Sequence, residues 1–386
     1  MKRALFWQGV IASCGVSFSL LATMPVWAQT PFQNPLQVET FDDPLLPQTP
    51  VNRPLSPLEQ FRLEPALDRL NQQAQAHYQA GKIEEAFQVW YRELRLRQKL
   101  SPLKEVQALG RVGEIAWREN RSADFRNIRE RLRVIEENAK ANNNRQLLDS
   151  IAENYERMRE LEGAIALYQL LGDDSNNPTP LLKKVGQLQA TQFNYQEAAN
   201  TYETLLAATE GNTTATIEYL KQLKLWYEQV ENPQAGIPTK QRLINIYQQQ
   251  NNQQALPEVM VSLADDYVKL EQFEQASSTY QEAIKVARAQ KKYAIAAIAL
   301  DNLAQLYHNE DSPQTTLEIY EQLLVIQKKS YDHYGLMMTY DKIGEIYQQN
   351  NQPKLALAAY EKALQFAQSL SYQEDYFQTK IQQLKS

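Results

Sequence analysis

The hydrophobic positions between Ile217 and Leu370 recur with a period of 40 residues. One column of this period contains only aliphatic residues, namely Leu223, Leu263, Leu303 and Ile343. A second column contains only Tyr227, Tyr267, Tyr307 and Tyr347. A third contains Tyr280, Tyr320 and Tyr360, with Lys240 as the exception. A period that holds through four rows predicts a repeat architecture.

Each row contains two apolar stripes at helical spacing. In the last row the first stripe consists of Tyr340, Ile343, Gly344 and Tyr347. The second stripe consists of Ala356, Tyr360, Ala363 and Leu364. Spacings of three and four residues place each set on one face of a helix. Pro353 separates the stripes and suits the first turn of a helix, because the missing N–H has no helical partner there. Each row is therefore predicted to be a helix–turn–helix unit.

These stripes resemble the tetratricopeptide repeat (TPR), whose pattern is aromatic-x2-Leu-Gly-x2-Tyr followed by Ala-x3-aromatic-x2-Ala. The register continues upstream, and its leading positions are Leu70, Leu109, Leu148, Leu182, Leu220, Met260, Leu300 and Tyr340. The resemblance implies an all-α fold, a right-handed α-solenoid of about eight repeats. We place the repeats at about 67–105, 106–144, 145–178, 179–216, 217–256, 257–296, 297–336 and 337–370. A final apolar stripe predicts a capping helix over 371–385, which would cover the last open face.

The N-terminal region predicts export followed by a leader. Residues 1–28 combine a basic start, an apolar run and the sequence Val26-Trp27-Ala28, which together are typical of a secretory signal. An uncleaved membrane anchor and a lipoprotein cleavage at Cys14 are the alternatives. Cleavage would leave a periplasmic chain without a membrane span, associated with membranes only through partners. Proline-rich residues 29–62 predict a disordered leader, either a tether or a docking segment, and the solenoid is predicted over 63–386.

Charge and residue chemistry restrict the function. The net charge of −6 argues against nucleic acid as the main partner. The charge is uneven, since residues 92–133 are locally basic and residues 258–345 are locally acidic. Cys14 is the only cysteine. We find no phosphate-binding loop, no nucleophile elbow and no histidine pair with zinc spacing, so we expect a non-catalytic protein. An unrecognised hydrolase is the enzyme alternative.

One stripe of each first helix is the candidate binding surface. In the TPR family, positions 2, 5, 9 and 12 of the first helix line a concave groove. The predicted partner-binding residues are Tyr78, Trp117, Lys183, Asp265, Asp301, Gln305, His308, Asp341 and Glu345. Trp117 has a second interpretation as a core residue. The acidic stretch would suit a peptide that carries Lys or Arg, or it could be a hydrated surface without a specific ligand.

Four of these residues raise a metal hypothesis. Carboxylate oxygens with one histidine suit a hard divalent ion such as Mn²⁺ or Ca²⁺. The predicted ligands are Asp301, His308, Asp341 and Glu345. No other cofactor is expected.

The overall plan of export signal, proline-rich leader and long repeats resembles the cyanobacterial periplasmic TPR factors of photosystem II assembly, which are associated with processing of the D1 precursor. That resemblance implies binding to the C-terminal region of D1 and delivery of Mn²⁺. The alternative is a general cell-envelope scaffold or adaptor for cell-wall or outer-membrane assembly.

Overall fold

A computed structural model of the protein describes residues 34–37, 42–47, 53–209 and 211–385. The predicted signal, residues 1–28, lies outside these ranges. Within them the chain forms α-helices and one short 3₁₀ turn, and it contains no strand. The prediction of an all-α protein is confirmed.

The helices follow one another with short connections. They are α1 (Pro57–Gln79), α2 (Ile83–Arg97), α3 (Pro102–Arg118), α4 (Ser122–Ala141), α5 (Arg145–Arg157), α6 (Leu161–Asp173), α7 (Thr179–Thr191), α8 (Tyr195–Ala207), α9 (Thr213–Gln229), α10 (Pro233–Gln249), α11 (Leu256–Lys269), α12 (Phe273–Ala289), α13 (Tyr293–Asn309), α14 (Pro313–Ser330), α15 (His333–Gln349), α16 (Pro353–Leu370) and α17 (Glu374–Lys385). The 3₁₀ turn, Gln253–Ala255, directly precedes α11.

Local chemistry fixes where many of the helices begin and end. Proline occupies the first turn of α10, α14 and α16, in the same column of the period. At the start of α1, Ser56 and Glu59 form a capping box in which each side chain accepts a hydrogen bond from the other's backbone N–H. Most connections contain a residue in the left-handed conformation. Across the described residues, thirteen of these are not glycine.

The chain divides into two compact units, of which the first comprises the described residues up to Leu100 together with 126–131. Helices α1 and α2 pack on each other through Leu63, Leu67, Leu70 and Leu96. Helix α1 begins at Pro57, inside the range predicted for the leader.

Two described parts of that leader are held by hydrogen bonds within the first unit. Asn34 is buried, and its side-chain amide donates to the backbone oxygen of Asn127 at 2.7 Å. The backbone oxygen of buried Leu36 accepts from the Gln98 side chain at 2.7 Å. The Arg92 guanidinium donates two hydrogen bonds to Asp43, of 2.7 and 3.0 Å, and lowers the pKa of that carboxyl. These residues therefore dock on their own unit.

The second unit, residues 101–125 and 132–386, is a stack of helix pairs. Helices α5 and α6 pack together, as do the pairs from α7 with α8 to α15 with α16. The second helix of each pair also packs against the first helix of the next pair, and α17 packs on α16. Stacking in which each pair contacts its neighbours is the architecture of a TPR solenoid, as predicted.

The tyrosine columns establish the phase of the repeat. The Tyr267 hydroxyl accepts from the Gln241 side chain of α10 at 2.7 Å, and the hydroxyls of Tyr307 and Ser277 lie 3.0 Å apart. Both contacts join a first helix to the second helix of the preceding pair. These rings therefore occupy the seams between neighbouring pairs. The other tyrosine column, Tyr280, Tyr320 and Tyr360, is buried.

Candidate partner-binding surface

The acidic part of the predicted surface lies on the first helices α11, α13 and α15 of the second unit. Exposure differs among its residues: Gln305, His308 and Glu345 are exposed, while Asp265 and Asp301 are half-buried. Asp341 is only 7% exposed. The aspartates of this surface are therefore less exposed to solvent than the side chains of a fully solvated charged face.

The Asp301 carboxylate is bound by side chains of this chain. Lys342, on the next first helix, places its Nζ 2.6 Å from Asp301 Oδ1. Gln305 donates to the other carboxylate oxygen at 2.8 Å. Both oxygens therefore have a donor, and the negative charge has a counterion from the neighbouring repeat.

Lys380 of α17 serves two carboxylates of α15 in the same way. Its Nζ lies 2.9 Å from Asp341 Oδ1 and 2.8 Å from Glu345 Oε1. Tyr376 donates to the second oxygen of Asp341 at 3.1 Å. Burial opposes the charge of Lys380, but the hydrogen bonds to Glu345, Tyr376 and Asp341 outweigh it and raise the pKa of the lysine.

Tyrosine rings also contact the lysines of these ion pairs. The Nζ of Lys380 lies 4.8 Å from the Tyr360 ring centroid and 4.6 Å from that of Tyr376. The Nζ of Lys342 lies 5.7 Å from the Tyr320 ring centroid. An ammonium over an aromatic face is attracted by the ring quadrupole.

A third example lies upstream. The Nζ of Lys184 on α7 lies 4.6 Å from the Tyr168 ring centroid and 3.7 Å from Glu156. Here too a second-helix tyrosine, a first-helix carboxylate and a lysine from the following first helix come together. We call such a group a lysine set; the three sets contain Lys184, Lys342 and Lys380.

Asp265 lies in a group of the same kind that has no lysine. The Tyr280 hydroxyl of α12 donates to Asp265 Oδ1, and burial together with this bond raises the pKa of Tyr280. From α13, the amide of Asn302 donates to the same oxygen at 3.0 Å. Asn302 occupies the column of Lys342. An amide therefore stands where the next repeat supplies an ammonium.

The metal ligands proposed from the sequence do not form a metal site in this arrangement. In the part of the chain that the structure describes, no three His, Cys, Asp or Glu side chains converge so as to hold a metal ion. Asp301, Asp341 and Glu345 instead contact lysine ammonium groups. An Mn²⁺ ion at these carboxylates would have to displace the lysines.

The remaining predicted residues lie on other helices. Trp117 of α3 is 49% exposed, with the Arg159 guanidinium 5.8 Å from its ring centroid. Lys183 of α7 pairs with Glu218 at 2.6 Å, and that bond raises its pKa. In the first unit, the half-buried Tyr78 ring lies 5.9 Å from the ring of Trp90.

A buried charged cluster escaped the sequence analysis. Lys240 fills the tyrosine column on α10 and is fully buried. Its Nζ lies 2.5 Å from Asp266 and 3.2 Å from Glu228. Burial raises the pKa of Asp266 even beside this lysine. A methyl group on Gly236 would overlap the Asp266 carboxylate, so the glycine makes room for the pair. The signal in the sequence was Lys240 itself, which stands in a column that otherwise contains only tyrosine.

Comparison with known families identifies the repeats that carry the acidic residues. Family profiles described as tetratricopeptide repeat match residues 257–290 and residues 295–369. These residues form tetratricopeptide repeats. Asp265 lies in the first matched segment, and the Asp301 and Asp341 pairs lie in the second, apart from Lys380. TPR domains in general bind protein or peptide partners.

Solved structures also resemble the chain, at low identity. A TPR repeat-containing protein from Cytophaga hutchinsonii is 15% identical, with 67% of this chain and 95% of that one aligned at a TM-score of 0.42. YrrB, a TPR protein with an unusual peptide-binding site, is 18% identical over 47% of this chain and 86% of its own, at a TM-score of 0.34. With scores below 0.5, these likenesses do not bear on function. A search of curated proteins finds no match.

Within the described ranges, no helix combines the length and the apolar character needed to cross a bilayer.

Proposed function

We propose that this protein is a non-catalytic, periplasmic TPR scaffold that binds a protein partner along the first-helix face of its second unit. The observation that carries the proposal is the row of polar side chains on α11, α13 and α15, inside the matched TPR segments. Gln305, His308 and Glu345 are exposed on this face. Hydrogen-bonding groups at regular spacing on a rigid scaffold suit an extended or helical guest segment.

Export to the periplasm is supported by the signal-like sequence of residues 1–28. Retention as an anchor or lipidation at Cys14 would keep the same domain at the membrane surface. Mass spectrometry of the purified native protein distinguishes these forms by the N-terminal residue and by an attached lipid.

The partner we assign is the C-terminal region of the D1 precursor, which makes the protein a photosystem II assembly factor. This assignment is supported by the plan of signal, proline-rich leader and long TPR units. Manganese delivery is the subordinate part of the proposal, because the carboxylates concerned contact lysines. Calorimetry with Mn²⁺ tests it: equal heats for the native protein and for Asp301→Asn/Asp341→Asn would exclude binding at that place.

Site-specific photo-crosslinking tests the partner. A photoreactive amino acid replaces Gln305 on α13 in the native host, and the matched control carries it at exposed Glu282 on the second helix α12. We expect a crosslink to the D1 precursor from position 305 and none from position 282. Crosslinks from position 305 to cell-wall or outer-membrane assembly proteins, without D1, would favour the general envelope scaffold. Equal crosslinking from both positions would contradict binding at the first-helix face.

A further inference from the structure

The three lysine sets show what this helix stack does with a carboxylate beside a second-helix tyrosine. In each set, a lysine from the following helix lies over the ring and next to the carboxylate. Lys342 approaches Asp301 to 2.6 Å, and Lys380 approaches Asp341 to 2.9 Å. The sets are therefore internal examples of ammonium recognition.

The group around Asp265 has the same parts except for the cation. Tyr280 supplies the buried ring, and Asp265 supplies a half-buried carboxylate. Both hydrogen bonds to this carboxylate reach Oδ1, from Tyr280 and Asn302. Across the described residues, Oδ2 has no donor and no lysine or arginine pairs with Asp265.

Neighbouring cations are already engaged. Lys342 pairs with Asp301, while Lys240 on the preceding repeat is buried against Asp266. Residues 258–345 contain 14 acidic and 8 basic residues, a net charge of −6. A basic side chain that approaches this stretch therefore meets a favourable potential, and Asp265 offers it a half-buried carboxylate without an internal counterion.

We propose that a lysine or arginine side chain of the partner binds the half-buried carboxylate of Asp265. This inference rests on the proposed function and specifies its ligand: a protein segment with a basic residue that takes the place Lys342 and Lys380 hold in the neighbouring repeats. A charge-assisted hydrogen bond to Oδ2 would anchor it.

The experiment uses the full-length protein and an array of immobilised random peptides. Each basic residue of the peptides that bind is replaced in turn by norleucine, which keeps the aliphatic stem and removes the charge. Affinities are then measured in solution by fluorescence anisotropy. We expect one norleucine replacement to weaken binding to the native protein about tenfold. The same replacement should not weaken binding to Asp265→Asn any further.

Two variants sharpen the test. Asn302→Lys supplies an internal ammonium, as Lys342 does, and should weaken the native peptide about tenfold. The matched control, Glu282→Gln, removes an exposed carboxylate from the second helix α12, outside the first-helix face, and should leave peptide affinity unchanged. Circular dichroism and urea unfolding establish that each variant is folded.

The possible outcomes separate this inference from the function on which it rests. If norleucine weakens binding equally in the native protein and in Asp265→Asn, the peptides bind but Asp265 is not the anchor, and this inference fails while the proposed function stands. If no array peptide binds the native protein, the proposed function fails as well. Weaker peptide binding by Asp265→Asn and by Asn302→Lys, with unchanged binding by the control variant, supports both.

Discussion

At the scale of single residues, the Lys240 position departs most from the repeat. The corresponding residues of the next three pairs, Tyr280, Tyr320 and Tyr360, are buried tyrosines. A lysine in this place brings a charge into the stack, and Asp266 and Glu228 compensate it. Burying both members of an ion pair costs solvation, so the pair contributes little net stability, but losing one member leaves the other charge uncompensated.

Replacement of Lys240 by methionine should therefore destabilise the second unit. We expect a loss of about 3–5 kcal/mol in unfolding free energy, because Asp266 would remain buried without its closest cation. The double variant Lys240→Met/Asp266→Leu should recover most of this loss. Urea denaturation followed by circular dichroism measures both. A single variant as stable as the native protein would contradict the role given to the pair.

Residue-scale prediction from sequence succeeded where packing decides and failed where long side chains decide. The tyrosine columns were placed correctly, because an apolar residue at a fixed helical phase has one buried direction. The partner of Asp341 could not be read in this way. Lys380 lies off the apolar stripe of α17, and the flexible lysine side chain lets it reach a carboxylate on a helix far away in sequence.

At the scale of helices and turns, the connections are built with few glycines. Lys291, Asp311 and Asn351 all adopt positive φ between consecutive helices, at 59°, 52° and 54°. This backbone conformation crowds the Cβ of most residues, and asparagine tolerates it best. A search of the sequence for Gly and Pro therefore misses many of these turns.

A glycine at Lys291 should stabilise the α12–α13 connection. We expect a gain of about 1 kcal/mol in unfolding free energy, since glycine adopts positive φ without steric strain. Asn351→Gly is the matched control, in an equivalent turn, and should gain less. Chemical denaturation compares the two, and an equal or larger gain at Asn351 would contradict this account.

The first turn of α1 should respond to acid. The Arg53 guanidinium and then Ser56 hold the pKa of Glu59 at about 2, below its ordinary value of 4.5. Since the folded-state pKa is depressed, the stabilisation of this capping box is complete above pH 4.5 and is lost as the pH falls towards about 2. Carboxyl NMR titration of Glu59 measures the value. Arg53→Ala should raise it towards 4.5, and an unchanged pKa would exclude the guanidinium as the cause.

At the scale of the second unit, α17 packs on the last helix pair and also supplies a counterion to it. Phe377 and Ile381 face α16 in one buried cluster, while Lys380 on the same helix binds the carboxylates of α15. The sequence predicted the capping helix from its apolar stripe. Its electrostatic part, and the docking of residues 34–37 within the first unit, depend on contacts far apart in sequence and were not predictable from local pattern.

Truncation of Phe377 should loosen this end of the stack. The side chain is fully buried, so Phe377→Ala should destabilise the last helix pair by about 3–5 kcal/mol. Because each pair contacts only its neighbours, the effect should decay along the stack. Hydrogen exchange should accelerate in α15 and α16 and remain unchanged in α5 and α6. Uniform acceleration throughout the unit would indicate that the stack unfolds as one block.

The lysine sets give the stack a polarity, since the carboxylate of each set takes its counterion from the helix pair or capping helix that follows. A tandem duplication of residues 297–336 would place Asp301 of the first copy opposite the second copy's Asn302 instead of Lys342. Each inserted copy would thus create one more carboxylate without an internal ammonium. The number of basic side chains that the protein can bind would then increase by one with each added repeat.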